Sequence, residues 1–266
     1  MVNNVYMKTL IGKILFRISR GILGHLGFNI GLGTAKSSYP ELSKEELTFL
    51  GKVHSQSLTM TSFESLATLA IACKYISKFN LNSSFVEAGV WRGGSSIVAK
   101  RFLGGARDYY LYDTYKGMTN PSSYDYRVGE SDGLSTQRKW KDENSEDHNG
   151  WVYASLDEVK KNFDDFGLND SKIYFVEGPV EVTLRANEIP SEIVLLRLDT
   201  DFYESTLVEL QVLWPKLLSG GILILDDYGH WDGARRAVDE YFDSIGLDSF
   251  FLVPIAGGGG RIGIKK

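Results

Sequence analysis

The sequence contains one cysteine, no long apolar run and no excess of positive charge. Cys73 has no second cysteine to pair with, which excludes an intrachain disulfide and is consistent with a cytoplasmic protein. No stretch reaches the ~18 apolar residues of a membrane-spanning helix. The formal net charge of −5 is opposite in sign to the basic surface that nucleic-acid binding favours. We therefore expect a globular protein with neither stable membrane insertion nor a nucleic-acid partner.

The first eighty residues are predicted to be helical and to form a cap or interface region of one domain. Residues 8–26 alternate basic and apolar side chains in the pattern of a basic amphipathic helix. Their charges interrupt the apolar segment, which argues against a signal peptide. This helix either binds a membrane surface or a partner, or packs on its own domain or a second subunit. Ser43 and Ser62 are expected to start two further helices.

Residues 81–266 alternate strand-like and helix-like segments, which predicts a doubly wound, largely parallel sheet. The predicted helices lie between apolar strands. The last two strands flank a run of four glycines and are expected to form a hairpin. Seven strands are predicted, at 85–88, 109–112, 173–176, 193–198, 221–225, 250–253 and 261–264.

Acidic residues follow two of the apolar strands at the point where each strand ends. Asp199 and Asp201 come after the 193–198 strand, and Asp226 and Asp227 follow the 221–225 strand. An open α/β sheet builds its site at such carboxyl ends. Four acids in one crevice repel one another unless a cation lies among them. Oxygen ligands suit Mg²⁺ or Mn²⁺, whereas zinc usually recruits histidine or cysteine. The pattern predicts a divalent metal site at Asp199, Asp226 and Asp227.

Asp201 has two interpretations. Alternate residues of an extended chain point the same way, ~6.6 Å apart, so Asp201 can face the site without ligating the metal. That is the position of a general base. Alternatively, its side chain caps the helix that starts after it.

A second constellation is the glycine-rich turn after the first strand. Glu87 ends that strand, Gly89 begins the turn and Ser95 enters the next helix, but the G-x-G-x-x-G fingerprint of dinucleotide binding is missing. Pyrophosphate favours bare amides at a helix N-terminus, whereas an acid with a looser turn suits a cationic or zwitterionic ligand. S-adenosylmethionine fits this description. Asp113, at the end of the next strand, is expected to bind ribose hydroxyls.

A long irregular segment spans residues 116–150 and is rich in Gly, Ser, Asp and Asn. Such a loop in a compact domain is usually a functional lid or disordered. His148 lies within it and is able to contact substrate if the lid closes. His230, three residues after Asp227, lies either near the metal or against substrate; a structural role is at least as consistent with both histidines.

Four motifs together resemble the macrocin O-methyltransferase (TylF-type) family. They are FVEAGVWRGG from Phe85, YDTYKGM from Tyr112, LDTDFYEST from Leu198 and DDYG from Asp226, and the likeness runs from about Leu58 to the C-terminus. The resemblance implies a Rossmann-like class I methyltransferase fold, a seven-stranded mostly parallel sheet with helices on both faces. It also implies an Mg²⁺- and S-adenosylmethionine-dependent enzyme of antibiotic biosynthesis, commonly a dimer or higher assembly.

The resemblance assigns roles to particular positions. The acceptor would be a hydroxyl of a sugar, which is free, nucleotide-linked or part of a glycoside. Mg²⁺ would hold an acceptor diol, and Asp201 would be the base. One departure is that Pro179 and Val180 follow Gly178, where the family tends to have an aromatic residue. The implied cofactor contacts are Glu87, Gly89 and Asp113, with Thr61, Ser62 and Ser95 near the methionine end; the implied metal ligands are Asp199, Asp226 and Asp227.

Three alternatives stay open at this point. A catechol-type phenolic O-methyltransferase would use the same metal chemistry. A nicotinamide-dependent oxidoreductase has the same sheet, although the incomplete fingerprint argues against it. A non-catalytic sugar-binding protein does not require the full set of acids.

Overall fold

The computed structural model describes residues 38–79, 81–104, 107–186, 189–247 and 250–266. The predicted basic helix at 8–26 lies outside the described residues. Residues Leu42–Lys266 form one compact unit. Within the described ranges, no helix is both long and apolar enough to cross a bilayer.

Seven strands form a single sheet in the order β3-β2-β1-β4-β5-β7-β6. Strands β1 to β5 pair in parallel, and β7 is antiparallel to both β5 and β6, so the last two strands form the predicted hairpin. The sequence therefore predicted the seven-stranded, mostly parallel sheet correctly. The strands are β1 Ser84–Ala88, β2 Tyr109–Asp113, β3 Ile173–Glu177, β4 Ile193–Leu198, β5 Leu217–Leu225, β6 Val253–Pro254 and β7 Arg261–Ile264.

Eight α-helices are described, and a 3₁₀ turn at Trp214–Lys216 precedes β5. Ser43 and Ser62 cap the first two helices through their side chains, as predicted. The helices are α1 Lys44–Ser55, α2 Phe63–Lys78, α3 Gly94–Leu103, α4 Leu134–Asp142, α5 Leu156–Asp165, α6 Val180–Ala186, α7 Tyr203–Leu213 and α8 Asp232–Ser244.

Alternating residues of the central strands face different helices. Val86 of β1 and Leu196 of β4 belong to an apolar core that includes α7 and α8. Their neighbours Glu87 and Arg197 point to the other side of the sheet, because the side-chain period of a strand is two. There α1, α2 and α3 pack against one another. The side with α1 to α3 therefore receives the buried charges of the strands.

Three elements differ from the sequence prediction. Helix α4 lies within the segment 116–150, which was predicted to be irregular; Thr136 is its one buried residue, so it has no apolar stripe to reveal it. Helix α6 was not predicted, because it has only seven residues. Strand β6 is two residues long and begins later than predicted, because the Phe250 ring packs on Trp214 instead.

Candidate active site

A cavity of about 270 Å³ opens at the carboxyl ends of β1, β2, β4 and β5. Parallel strands place their last residues at one edge, and open α/β sheets bind ligands there. The structure thus brings the two predicted constellations, the glycine turn and the acid cluster, to a single cavity. Predicted residues on its wall are Thr61, Gly89, Ser95, Asp113, Asp199, Asp201 and Asp226, whereas Ser62, Glu87 and Asp227 lie outside the set that forms the wall.

Asp113 organises the glycine turn as well as lining the cavity. Its carboxylate accepts hydrogen bonds from the backbone amides of Val90 at 2.7 Å, Trp91 at 2.8 Å and Tyr115 at 2.7 Å. Burial raises the pKa of Asp113, and the three amide donors oppose that shift. The end of β2 is thereby fastened to the turn after β1.

The remaining predicted cofactor residues have distinct partners. Ser62 accepts a hydrogen bond from the Ser65 amide at 3.1 Å, so it serves as the cap of α2. The Ser95 hydroxyl lies 3.5 Å from that of Thr59 on the cavity wall. Glu87 is 1% exposed, and its two carboxylate oxygens accept from the Ser96 hydroxyl and from Arg197. Glu87 therefore lies behind the wall, where it supports the site.

The three predicted metal ligands converge. Asp199, Asp226 and Asp227 each offer a carboxylate oxygen, and these atoms lie within 4.8 Å of one another. The backbone sets this spacing, because the Asp199 amide donates to the Ala88 carbonyl and the Asp226 amide to the Leu198 carbonyl, both at 2.9 Å. An oxygen-only set of this size fits Mg²⁺ or Mn²⁺.

A buried arginine lies among these acids. Arg197 is 2% exposed and donates to Glu87 at 2.6 Å, to Asp199 at 2.7 Å and to Asp226 at 2.8 Å. The chain itself therefore supplies positive charge, which clustered acids need. In the described part of the chain, neither Asp201 nor Asp227 forms an ion pair with Arg197.

The pKa values of the site show how burial and neighbouring charges act on its acids and on Arg197. Burial raises the pKa of Asp199 well above its usual range although Arg197 opposes the shift, and Asp226 adds to it. Burial likewise raises the pKa of Asp227, with Asp201 and Asp226 as additional causes. Burial disfavours the charged form of Arg197, yet the facing carboxylates hold its pKa well above the usual value. One guanidinium faces five neighbouring carboxyl groups, and the raised pKa values show that their charged forms are disfavoured, a cost that a bound divalent cation would relieve.

Asp201 lies on the cavity wall in an uncommon backbone conformation. Its φ is +66°, a left-handed value that is uncommon outside glycine, and its amide donates to Asp227 at 3.1 Å. Burial raises the pKa of Asp201 to about 7, and the charge of Asp199 adds to the shift. The first amide of α7, that of Tyr203, donates instead to Asp125 at 2.7 Å. The capping interpretation of Asp201 is therefore not the arrangement that the structure shows.

The segment 116–150 covers one side of the cavity. Its ends are joined, because the Asn149 amide donates to the Lys116 carbonyl at 2.8 Å and the Trp140 indole donates to the Met118 carbonyl at 2.9 Å. Met118 lines the cavity and packs against an aromatic cluster that contains Trp231. The segment is therefore packed onto the domain in this structure.

The two candidate histidines have partners within the protein. The Nε2 atom of His230 accepts from the Gly259 amide at 3.0 Å, although the ring also lines the cavity. The Nδ1 atom of His148 lies 3.3 Å from the Ser145 hydroxyl, and its ring lies tilted against that of Tyr153. His148 is outside the set of residues that forms the cavity wall.

Several residues of the site were not predicted from the sequence. Arg197 carried a usable signal, since a charged residue inside an otherwise apolar central strand is almost never buried without partners. Trp231, Arg127 and Glu181 line the cavity from elements whose contribution depends on tertiary packing. No local pattern marked them.

Comparison with known proteins identifies the family. The profile described as Macrocin-O-methyltransferase (TylF) matches residues 36–251. The chain belongs to this family. It is 33% identical over 193 residues to the 8-demethyl-8-(2,3-dimethoxy-alpha-L-rhamnosyl)-tetracenomycin-C 4'-O-methyltransferase of Streptomyces olivaceus, covering 71% of this chain and 69% of that one. It is 32% identical to the demethyldecarbamoylnovobiocin O-methyltransferase of Streptomyces niveus, covering 69% and 67%.

Solved structures agree with this assignment. The structure of the O-methyltransferase NovP superimposes with a TM-score of 0.67 at 27% identity, covering 78% of this chain and 82% of that one. The predicted class I methyltransferase fold is therefore confirmed, as is the resemblance from which it came. The protein is an S-adenosylmethionine-dependent O-methyltransferase. The nicotinamide oxidoreductase and the non-catalytic binding protein are excluded by this membership.

Proposed function

We propose that this methyltransferase acts on a hydroxyl of a sugar, with a divalent cation, most simply Mg²⁺, held by Asp199, Asp226 and Asp227. The names of the relatives support the acceptor class, since one of them methylates the 4′ oxygen of a rhamnosyl tetracenomycin and another is the mycinamicin III 3''-O-methyltransferase of Micromonospora griseorubida. The sugar is free, nucleotide-linked or part of a glycoside. A homodimer or larger homo-oligomer stays a prediction, which light scattering would test.

The observation that carries the metal proposal is the convergence of three carboxylates, of which Asp199 and Asp226 line the cavity and Asp227 lies beside them. Arg197 contacts one oxygen each of Asp199 and Asp226, which leaves the second oxygen of each without a contact to the guanidinium. Asp227 lies beside them and forms no ion pair with Arg197. The donor set therefore has both the chemistry and the unneutralised charge that a hard divalent ion requires.

The division of labour follows from positions on the cavity wall. When bound, the cation supplies Lewis acidity towards neighbouring acceptor oxygens and S-adenosylmethionine supplies an electrophilic methyl group. The Gly89 turn and Asp113 border the side of the cavity proposed for the cofactor. Asp201 borders the acid cluster and takes the proton from the acceptor hydroxyl at its carboxylate. Its left-handed backbone is held by the Asp227 contact, so the base and one metal ligand are fixed together.

The test is a mass-shift screen of glycosides that carry vicinal diols, with S-adenosylmethionine and with Mg²⁺ or EDTA. We expect a methylated glycoside that requires Mg²⁺. Asp227→Asn should lose the response to Mg²⁺, and Asp201→Asn should lose turnover while S-adenosylhomocysteine still binds in a calorimetric titration. Asp243→Asn, an exposed aspartate remote from the cavity, is the matched control and should behave as wild type.

Three outcomes would each contradict part of the proposal. Full turnover in EDTA together with an active Asp227→Asn variant would eliminate the metal site. Methylation of catechols but of no sugar diol would favour a phenolic acceptor instead. Unchanged turnover of Asp201→Asn would remove that residue as the base while leaving the metal site standing.

A further inference from the structure

Arg197 connects the two halves of the site through a single planar side chain. It lies in the central strand β4, two residues before Asp199, and both side chains point to the same side of the sheet. The guanidinium contacts four side chains from separate parts of the chain. The four hydrogen bonds together fix the position and the plane of this buried guanidinium.

Each terminal nitrogen of the guanidinium bridges two partners. Nη1 donates to Glu87 Oε1 at 2.6 Å and to Asp199 Oδ2 at 2.7 Å. Nη2 donates to Asp226 Oδ1 at 2.8 Å and to Thr61 Oγ1 at 2.9 Å. The fork thus restrains one oxygen of each of two proposed metal ligands and connects both ligands to Glu87 of β1 and to Thr61, which precedes the cap of α2.

Restraint of one carboxylate oxygen fixes the direction of the other. A carboxylate on a single-bonded side chain rotates about χ2 with little preference, so a lone Asp offers its oxygens in many orientations. Charge-assisted bonds to a rigid fork remove that freedom. One carboxylate oxygen of Asp199 and one of Asp226 lie within 4.8 Å of each other and of an oxygen of Asp227, and with their rotation removed the two carboxylates keep this arrangement.

We propose that Arg197 is a positioning residue, which holds Asp199 and Asp226 in the orientation that ligates the divalent cation. The inference rests on the proposed metal site and concerns a residue that would not itself contact the metal, the cofactor or the acceptor. Partners that orient metal ligands typically change metal affinity by about 10–100-fold when they are removed. Arg197 should act through affinity for the ion and through kcat, with the KM for S-adenosylmethionine little changed.

Simple electrostatics makes the opposite prediction, which sharpens the test. A positive charge next to a cation site repels the cation, so removing that charge alone would tighten metal binding. Arg197→Lys keeps the charge and removes the fork; Arg197→Met removes both. If positioning dominates, both variants bind the ion more weakly. If Arg197 acts only as a charge, Arg197→Lys resembles wild type and Arg197→Met binds more tightly.

The experiment measures Mn²⁺ binding to the full-length protein by electron paramagnetic resonance of the unbound ion, without any turnover. We expect about tenfold or greater weakening in Arg197→Lys. Thr61→Val removes one contact of the fork and leaves the acids in place, so it should weaken Mn²⁺ binding by a smaller factor and serves where Arg197→Met fails to fold. Lys100→Met removes the ion pair between the buried Lys100 and the half-exposed Asp170, neither of which lines the cavity, and should leave Mn²⁺ affinity unchanged.

The outcomes separate this inference from the proposed function. Wild-type protein that binds no Mn²⁺ overturns both. Wild-type protein that binds Mn²⁺, with Arg197→Lys and Thr61→Val binding it equally well, overturns only the role of Arg197. Near-UV circular dichroism of each variant tests the fold, and if Lys100→Met weakened Mn²⁺ binding as much as Arg197→Lys does, the effect would be merely structural and the role of Arg197 would be overturned.

Discussion

Substituting Gly89 by alanine tests how tightly the glycine turn and the acid cluster are joined. Gly89 has φ of +83°, and a Cβ atom built there would lie 1.8 Å from the carbonyl oxygen of Asp199. The clashing oxygen belongs to the backbone, so rotation of a side chain cannot relieve the clash. The neighbouring Asp199 amide donates to the Ala88 carbonyl at 2.9 Å, which keeps the ends of β1 and β4 close together.

The size of the effect follows from two costs. A left-handed conformation costs an L-residue about 1–2 kcal/mol. Insertion of a methyl group into close-packed atoms costs typically about 1–3 kcal/mol, and here the strand ends must separate. Gly89→Ala should therefore reduce the free energy of unfolding by roughly 2–5 kcal/mol. Typical domains have only about 5–15 kcal/mol of stability, so the loss is large but leaves a measurable native state.

Gly167, which follows α5, provides the control for the backbone cost alone. It also has positive φ, +64°, but nothing lies within 4 Å of the position that a Cβ would take. Gly167→Ala should lose about 1–2 kcal/mol, and the difference between the two variants measures the steric contact. Urea denaturation followed by circular dichroism gives both values.

The same variant has a functional consequence, because the displaced carbonyl belongs to a proposed metal ligand. Gly89→Ala should weaken both S-adenosylhomocysteine and Mn²⁺ binding under conditions in which the protein is fully folded, whereas Gly167→Ala should change neither. If Gly89→Ala is no less stable than Gly167→Ala, or if it binds Mn²⁺ normally, the turn and the acid cluster are not coupled through this contact and the reasoning is refuted.

Two further predictions concern residues beside the cavity. Glu209 is fully buried, and burial raises its pKa well above the usual value. It therefore contributes a loss of native stability of up to ~1.4 kcal/mol per pH unit as the pH rises from its unfolded towards its folded pKa. Glu209→Gln should reduce the slope of stability against pH in urea denaturation between pH 5 and about 8, and an unchanged slope would contradict this. Asp125 accepts hydrogen bonds from the Tyr203 amide and from the amide and hydroxyl of Ser122. Asp125→Ala should therefore lower the free energy of unfolding by about 1–3 kcal/mol and raise the KM for the acceptor, with S-adenosylhomocysteine affinity unchanged. Equal stability of variant and wild type would exclude this role.

Much of the sheet was predictable because its signals are local. The five parallel strands are largely apolar runs of five to nine residues, and each ends in an acid or runs into an acid or a glycine turn. Parallel pairing then places Asp199, Asp226 and Asp227 at one edge, which is a consequence of strand direction and needs no knowledge of side-chain packing. The helix starts at Ser43 and Ser62 were equally local, since capping depends on residues within one turn.

The parts that escaped prediction depend on long-range contacts. Helix α4 is polar on nearly every side, and it is bounded by loops that are tied down at their base through Asn149 and Trp140. Glu87 was expected to face a ligand, but its position was decided by two partners, one of them 110 residues away in the chain. The sequence pattern places Glu87 at the end of a strand, whereas contacts across the fold decide which groups its carboxylate meets.

The buried arginine changes the electrostatic argument that first pointed to a metal. Acids that crowd a low-dielectric site need positive charge, and Arg197 satisfies part of that need for Glu87, Asp199 and Asp226. A guanidinium reaches only the acids that lie around its own plane, and Asp227 and Asp201 lie beyond it within the described residues. The proposed cation therefore does not replace the arginine or duplicate it. We expect it to share Asp199 and Asp226 with the arginine and to relieve the charge of Asp227, which the arginine does not contact and which accepts the amide hydrogen bond of the proposed base Asp201.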